Sequence, residues 1–368
     1  MSSLRITGGS LDVAVVDGLL VDHVPPGLPE YDARGLHVLP GLLDLQVNGA
    51  AGIDLTREPR RLWEVAAALP AYGVTAFLPT VITSEPAART AALETLAAGP
   101  PSGWSGAWPL GLHLEGPMIS PARPGAHPRR WLVPPSPALV DGWSRADGVA
   151  MVTLAPELPG ALEVVASLVE RGVVVALGHT EATAEQVAAA ADRGARAVTH
   201  LGNAMPPLAG RVPGPVGAAL ADPRLTAGVI ADGHHLHPAT LGAYARALGP
   251  DRLLAVTDCT AGLGMADGPA RLGDQQVVVR DGAVRLADGT LAGSAAALPD
   301  CLRVLRAATG WSLAEVVGCC TRVAADLLGD ASRGRLVAGG RGDVTLVDDE
   351  LRVVATVVGG RLVHGGER

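Results

Sequence analysis

Glu115, His179 and His200 are residues of metal-ligating type, and each closes a short apolar run. His179 follows Val173-Val174-Val175-Ala176-Leu177-Gly178, His200 follows Ala197-Val198-Thr199, and Glu115 ends His113-Leu114-Glu115. Continuous apolar runs of this length read as buried parallel strands. Side chains at the ends of neighbouring strands then meet at one mouth. Two imidazoles and one carboxylate are a common catalytic zinc set, with a position left for water. Any one of them alone reads better as a hydrogen-bonded strand end; all three together favour a metal. Asp258 closes Leu253-Leu254-Ala255-Val256-Thr257. Beside a metal, a carboxylate takes a proton from water and passes it to a leaving group. Without one, Asp258 is equally a cap for a following helix. The metal set tips the balance to catalysis.

Further candidates surround these four. The run Asp232-Gly233-His234-His235-Leu236-His237 carries three histidines; His237 precedes Pro238 and marks a helix start, and one of the others suits a substrate donor. His127 lies in the loop Pro124-Gly125-Ala126-His127, where an exposed, solvated histidine is the plain reading. The stretch 201–224 is rich in Gly and Pro, and loops this long are usually functional. Arg211, in its middle, is either an anion clamp or a surface arginine. Cys259, Cys301, Cys319 and Cys320 form no CxxC pair, and Cys319-Cys320 are expected in an apolar helix.

The elements that position these residues follow a repeating pattern. Strand-like runs are expected at Leu42–Gln46, Val74–Leu78, Leu110–Leu114, Val149–Leu154, Val173–Leu177, Ala197–Thr199, Ala227–Ile230 and Leu253–Thr257. Helical segments fall between them, including Arg60–Ala71, Pro86–Ala97, Ala161–Arg171 and Ala182–Arg193. Eight such units predict an α/β fold, a (β/α)8 TIM-type barrel. Gln46, Thr80, Glu115, Glu157, His179, His200, Asp232 and Asp258 all sit at the C-terminal ends of runs, the face that carries barrel active sites. A doubly wound sheet is the rival, but no G-x-G-x-x-G follows the first strand. Short β hairpins occupy both ends of the chain and are too small to fold alone. They predict one small β-sandwich domain from 1–38 and 338–368, with the barrel in 39–337.

Composition narrows the function. The chain has 368 residues, a net charge of -8 and 3% aromatics, which argues against nucleic-acid and anionic-membrane surfaces. All 29 basic residues are Arg. The absence of Lys excludes a Schiff-base lysine, a P-loop lysine and a carbamylated lysine bridging two metals. No signal peptide or membrane-spanning run is visible, so a cytoplasmic protein is expected.

Six strings then occur in a telling order: Pro40-Gly41-Leu42-Leu43-Asp44-Leu45-Gln46-Val47-Asn48-Gly49, His113-Leu114-Glu115-Gly116-Pro117, Gly178-His179-Thr180, Thr199-His200-Leu201-Gly202-Asn203-Ala204-Met205, Ala231-Asp232-Gly233-His234-His235 and Val256-Thr257-Asp258. With them the chain resembles the N-acetylglucosamine-6-phosphate deacetylases of the amidohydrolase superfamily over nearly its whole length. The resemblance implies hydrolysis of N-acetylglucosamine 6-phosphate to glucosamine 6-phosphate and acetate. It implies that Glu115, His179 and His200 bind one divalent metal ion, Zn2+ first, with Fe2+, Mn2+ or Co2+ as alternatives. Asp258 would be the catalytic acid and base. Ala126 and His127 would lie near the acetyl carbonyl and sugar, and Leu291, Ala292 and Gly293 would line the acetamide pocket. Asn203, the backbone of Ala204, Arg211 and His235 would hold the sugar phosphate, with Arg211 and His235 acting across a homodimer interface. Many superfamily members carry His-x-His where this chain has Gln46-Val47-Asn48, so a single metal is expected. The rival activities are deacetylation of N-acetylgalactosamine 6-phosphate and another amidohydrolase reaction; a barrel that has lost its chemistry ranks last.

Overall fold

The computed structural model describes residues 2–366. Eight parallel strands form the barrel: β1 (Leu42–Val47), β2 (Val74–Ile82), β3 (Leu112–Glu115), β4 (Val149–Leu154), β5 (Val174–Leu177), β6 (Ala197–Val198), β7 (Thr226–Ile230) and β8 (Leu253–Val256). They pair in chain order from β1 to β8. Each is buried along all or nearly all of its length, which is why the strands read as unbroken apolar runs. Leu43, Leu45, Leu78, Met151, Ile230, Leu254 and Val256 fill the interior, and Val323, Ala324 and Ala325 of the helix Arg322–Leu328 pack on the same cluster. A larger cluster lies between strands and the outer helices.

Few backbone contacts close the seam between β1 and β8, and side chains such as Asp44 tie it. Asn48 N donates to Cys259 O at 2.7 Å. Asp44 accepts from Thr257 Oγ1 at 2.5 Å and Thr257 N at 3.3 Å. Burial pushes its carboxyl from 3.8 up to about 6, against the lowering effect of the Thr257 hydrogen bonds. The folded state therefore holds this proton more tightly than the unfolded one, and the group's contribution to stability falls as pH rises from about 4 to about 6. Asp44→Asn removes that titration. Its unfolding free energy minus that of wild type should rise by up to about 3 kcal/mol between about pH 4 and pH 7. Denaturant unfolding at the two pH values checks this; a difference that does not move with pH would mean that Asp44 keeps an ordinary carboxylate value.

Two four-stranded sheets flank the barrel. One comprises Leu4–Thr7, Val13–Val16, Leu19–Val21 and Glu30–Asp32; the other joins His37–Pro40 to Val344–Val347, Val353–Val358 and Arg361–His364. Ile6, Tyr31, Val38, Leu346 and Val357 share one core between them, so both ends of the chain build the β-sandwich the hairpins predict.

A third sheet was not foreseen. Strands Gly268–Leu272, Gln275–Arg280, Ala283–Arg285 and Leu291–Ser294 form an antiparallel insertion directly after β8. Its Leu272, Val277, Val279, Val284 and Ala292 pack on Ile82 and Ala126, over the β2–β3 side of the barrel mouth. The stretch 201–224 also holds a helix, Gly214–Ala221. The helix Leu313–Gly318 ends just before Cys319, so the two adjacent cysteines lie in a turn rather than in a helix; all four cysteines are free and buried.

Candidate active site

Glu115 is the last residue of β3; His179, His200 and Asp258 each lie two residues beyond the end of β5, β6 and β8. His179, His200 and Asp258 have positive φ values of 49°, 32° and 52°. For residues with a Cβ this backbone is uncommon and recurs at functional sites. It turns each side chain off its strand and into the mouth. All four side chains are buried.

Their polar atoms converge. Glu115 Oε1 lies 3.3 Å from His179 Nε2 and 3.1 Å from His200 Nε2, and the two Nε2 atoms are 3.1 Å apart. Donors held at 2.0–2.1 Å by a tetrahedral ion are about 3.3 Å from one another, so this spacing fits a divalent metal. The hydrogen-bonding pattern agrees. His179 Nδ1 donates to the Arg123 carbonyl at 2.8 Å, which leaves Nε2 as a lone-pair donor toward the cluster. His200 Nδ1 is buried without a partner among the described residues. Burial alone would raise the Glu115 carboxyl, but the imidazoles of His179 and His200 against it outweigh burial and hold it well below its usual range. Glu115, His179 and His200 form the one group among the described residues able to hold a metal ion.

The two amides of Gln46-Val47-Asn48 do different work from imidazoles. Gln46 Nε2 donates to Glu115 Oε1 at 3.2 Å, and Asn48 Nδ2 donates to Asp258 Oδ1 at 2.7 Å. Each orients a carboxylate. Asp258 is not a helix cap, because the residues after it form a bridge and a turn instead of a helix. Burial, then repulsion from Glu115, raises its carboxyl above the ordinary aspartate range. Gly293 lies against it: with φ of +69°, a Cβ there would meet the Asp258 carbonyl oxygen at 2.7 Å.

His127 is the clearest departure from the plain reading of its loop. It is buried, with Nε2 3.8 Å from Glu115 Oε2. Thr83 N donates to Nδ1 at 3.4 Å and Thr83 Oγ1 lies 2.8 Å from it, which assigns the ring proton to Nε2. Burial first, then the neighbouring His179, lowers its pKa to about 3, so the ring is neutral and its Nε2–H is a donor.

A cleft of about 590 Å³ opens above these groups. Its lining includes Ala126, His127, Asn203, Ala204, His235, Leu291, Ala292 and Gly293 with the four central residues. Every site residue expected from the sequence is thus brought together except Arg211, which lies exposed in the loop before the helix Gly214–Ala221 and does not line the cleft of its own chain. His235 Nδ1 is 2.7 Å from Asp232 Oδ2, and His237 caps the helix Pro238–Leu248 as expected. His234 instead reaches the Asp281 carbonyl on the inserted sheet. Glu157 accepts from Thr180 Oγ1 and Glu181 N and so buttresses the turn at His179.

The sequence profile of the amidohydrolase family matches residues 37–363. The chain belongs to the amidohydrolase family. Among its relatives, N-acetylglucosamine-6-phosphate deacetylase of Homo sapiens is 38% identical over 352 residues, 90% of this chain and 84% of that one. The same enzyme of Bacillus subtilis is 35% identical over 332 residues, 88% and 84% of the two chains. Among solved structures, N-acetyl-D-glucosamine-6-phosphate deacetylase of Mycobacterium smegmatis, in complex with N-acetyl-D-glucosamine-6-phosphate, superposes with a TM-score of 0.88 at 33% identity, covering 98% of each chain. As an amidohydrolase the chain carries the family's barrel, and a Glu–His–His cluster fit for a metal lies at its mouth. No helix among the described residues is long and apolar enough to cross a membrane.

Proposed function

We propose that the protein hydrolyses the acetamide of N-acetylglucosamine 6-phosphate, giving glucosamine 6-phosphate and acetate. The observation that carries this reading is Asp258, held by Asn48 beside the Glu115–His179–His200 cluster, in a chain 35–38% identical to the deacetylases over most of its length.

An amide resists water because resonance protects its carbonyl and the amine is a poor leaving group. One divalent ion on Glu115, His179 and His200, Zn2+ first and Fe2+, Mn2+ or Co2+ as alternatives, would supply a Lewis acid and an acidified water. Asp258 accepts the proton of the attacking water as the carbon–oxygen bond forms. The neutral His127 donates its Nε2–H to the carbonyl oxygen as that oxygen gains charge. The carbon–nitrogen bond then breaks, and Asp258 delivers its proton to the departing nitrogen. Asn48 holds Asp258 in place for both transfers, and Gln46 fixes Glu115. Leu291, Ala292 and Gly293 shape the acetamide pocket beside Asp258, with Ala126 next to His127.

The phosphate lies at the opposite end of the sugar, where Asn203, the backbone of Ala204 and His235 meet it. Since Arg211 is exposed and does not line the cleft of its own chain, we assign it to the cleft of a second copy in a homodimer. Arg offers a planar fork of donors for phosphate, and no Lys exists to replace it. Arg211→Ala should raise KM for the 6-phosphorylated sugar about 10- to 150-fold. Unphosphorylated N-acetylglucosamine, a poor substrate throughout, should be little changed. Acetate release from both sugars, and from N-acetylgalactosamine 6-phosphate, tests the reading. Equal losses on the phosphorylated and plain sugars would place phosphate recognition elsewhere, and faster release from the galacto epimer would reverse the substrate assignment.

A further inference from the structure

The cleft does not end at His127. It continues into an outer lobe of about 760 Å³, walled by the loop after β3 and by two segments of the inserted sheet, 274–276 and 286–288. His127, Arg129 and Asp288 line both spaces, so each opens into the other.

The order of strands fixes where this lobe lies. Its walls rise from the loop after β3 and from the sheet packed on Ile82 at the end of β2. Asn203, Ala204 and His235 come from the loops after β6 and β7. In a ring of eight strands, β2–β3 and β6–β7 stand opposite one another. The proposed substrate has the same opposition. C5, which carries the C6 phosphate, is across the pyranose ring from C2, which carries the acetamide. With the phosphate toward β6–β7 and the acetamide over the metal ligands, the ring positions flanking C2 face the outer lobe.

The charged side chains of the lobe are Arg129, Arg130, Asp274 and Asp288, and Asp288 accepts from Thr290 N at 2.9 Å. Arg123 is paired with Glu181, and Arg130 with Asp274. Arg129, between the two spaces, makes no side-chain hydrogen bond or ion pair among the described residues. An unpaired guanidinium at the wall of a cleft, in a chain of net charge -8, is a ready partner for a carboxylate or phosphate.

We propose that the outer lobe, with Arg129 as its cation, binds a second anionic group carried on C1 or C3 of an N-acetylhexosamine 6-phosphate. The protein then deacetylates sugar phosphates bearing such a substituent, by the same hydrolysis and with the same residues. This inference rests on the deacetylase reading above.

Acetate release by wild type and Arg129→Gln is measured on three compounds: N-acetylglucosamine 6-phosphate, its 3-O-(1-carboxyethyl) ether, and N-acetylglucosamine 1,6-bisphosphate. Wild type should deacetylate at least one of the substituted compounds; activity on the ether alone assigns the anion to C3, and on the bisphosphate alone to C1. Arg129→Gln should lose about 10-fold or more in kcat/KM on that compound and stay within about twofold on the unsubstituted one. Failure of wild type on both substituted compounds, with normal activity on the plain sugar phosphate, overturns the inference and leaves the deacetylase reading standing. Equal effects of Arg129→Gln on plain and substituted compounds, or none on either, overturn it too. No acetate from the plain compound would sink the deacetylase reading, and this inference with it.

Discussion

Asp258→Asn should keep its metal and lose about 100- to 10,000-fold in turnover, the range typical of a general acid–base group. The amide has nearly the size of the carboxyl but cannot receive the proton of the attacking water or return one to the departing nitrogen. Asn48 Nδ2 can still donate to the oxygen of the new side chain, as it does to Asp258 Oδ1 at 2.7 Å, so the local packing should survive. Asp258 is also outside the Glu115–His179–His200 cluster, so metal content should not fall. Metal analysis together with single-turnover acetate release separates the two effects. Near-native turnover in the variant would make Asp258 a positioning group and hand proton transfer to another residue.

The metal ligands should show the opposite pattern. His179→Ala and His200→Ala each remove one of three converging donors and should lose bound metal and activity together. The barrel should remain folded, because these residues lie beyond the ends of β5 and β6 and outside the interior cluster of Leu43, Leu78 and Met151. A cooperative thermal transition and an unchanged far-UV circular dichroism spectrum of the metal-free variants check that the barrel is still folded. Retained stoichiometric metal with lost activity would instead mean that the histidines bind substrate and the ion sits elsewhere.

Much of this was legible because buried parallel strands leave unbroken apolar runs, and because functional side chains must stand at their C-terminal ends. All eight barrel strands lie where such runs occur, and Glu115, His179, His200 and Asp258 meet as their positions imply. The inserted sheet was missed although it left a signal: Asp281-Gly282 between Gln275–Arg280 and Ala283–Arg285 is a two-residue hairpin turn. Its alternating pattern was masked by the expectation of helix after every strand. His127 could not be seen as buried, since its neighbours Thr83 and His179, and the segment 272–292 packed on Ala126 beside it, are distant in the chain. The partners of Gln46 and Asn48 are 69 and 210 residues away, and no local spacing announces them. Arg211 lies exposed in the loop before the helix Gly214–Ala221, and no local pattern distinguishes an anion clamp from a surface arginine there.

On the proposed mechanism a single divalent metal per chain works with Asp258 to hydrolyse the acetamide. Titrating zinc into chelator-treated protein, while acetate release from N-acetylglucosamine 6-phosphate is followed, tests it most directly. Activity should rise linearly and level off at one equivalent per chain, because Gln46 and Asn48 bind carboxylates where a second site would need imidazoles. A break at two equivalents, or full activity in protein shown to be free of metal, would contradict it.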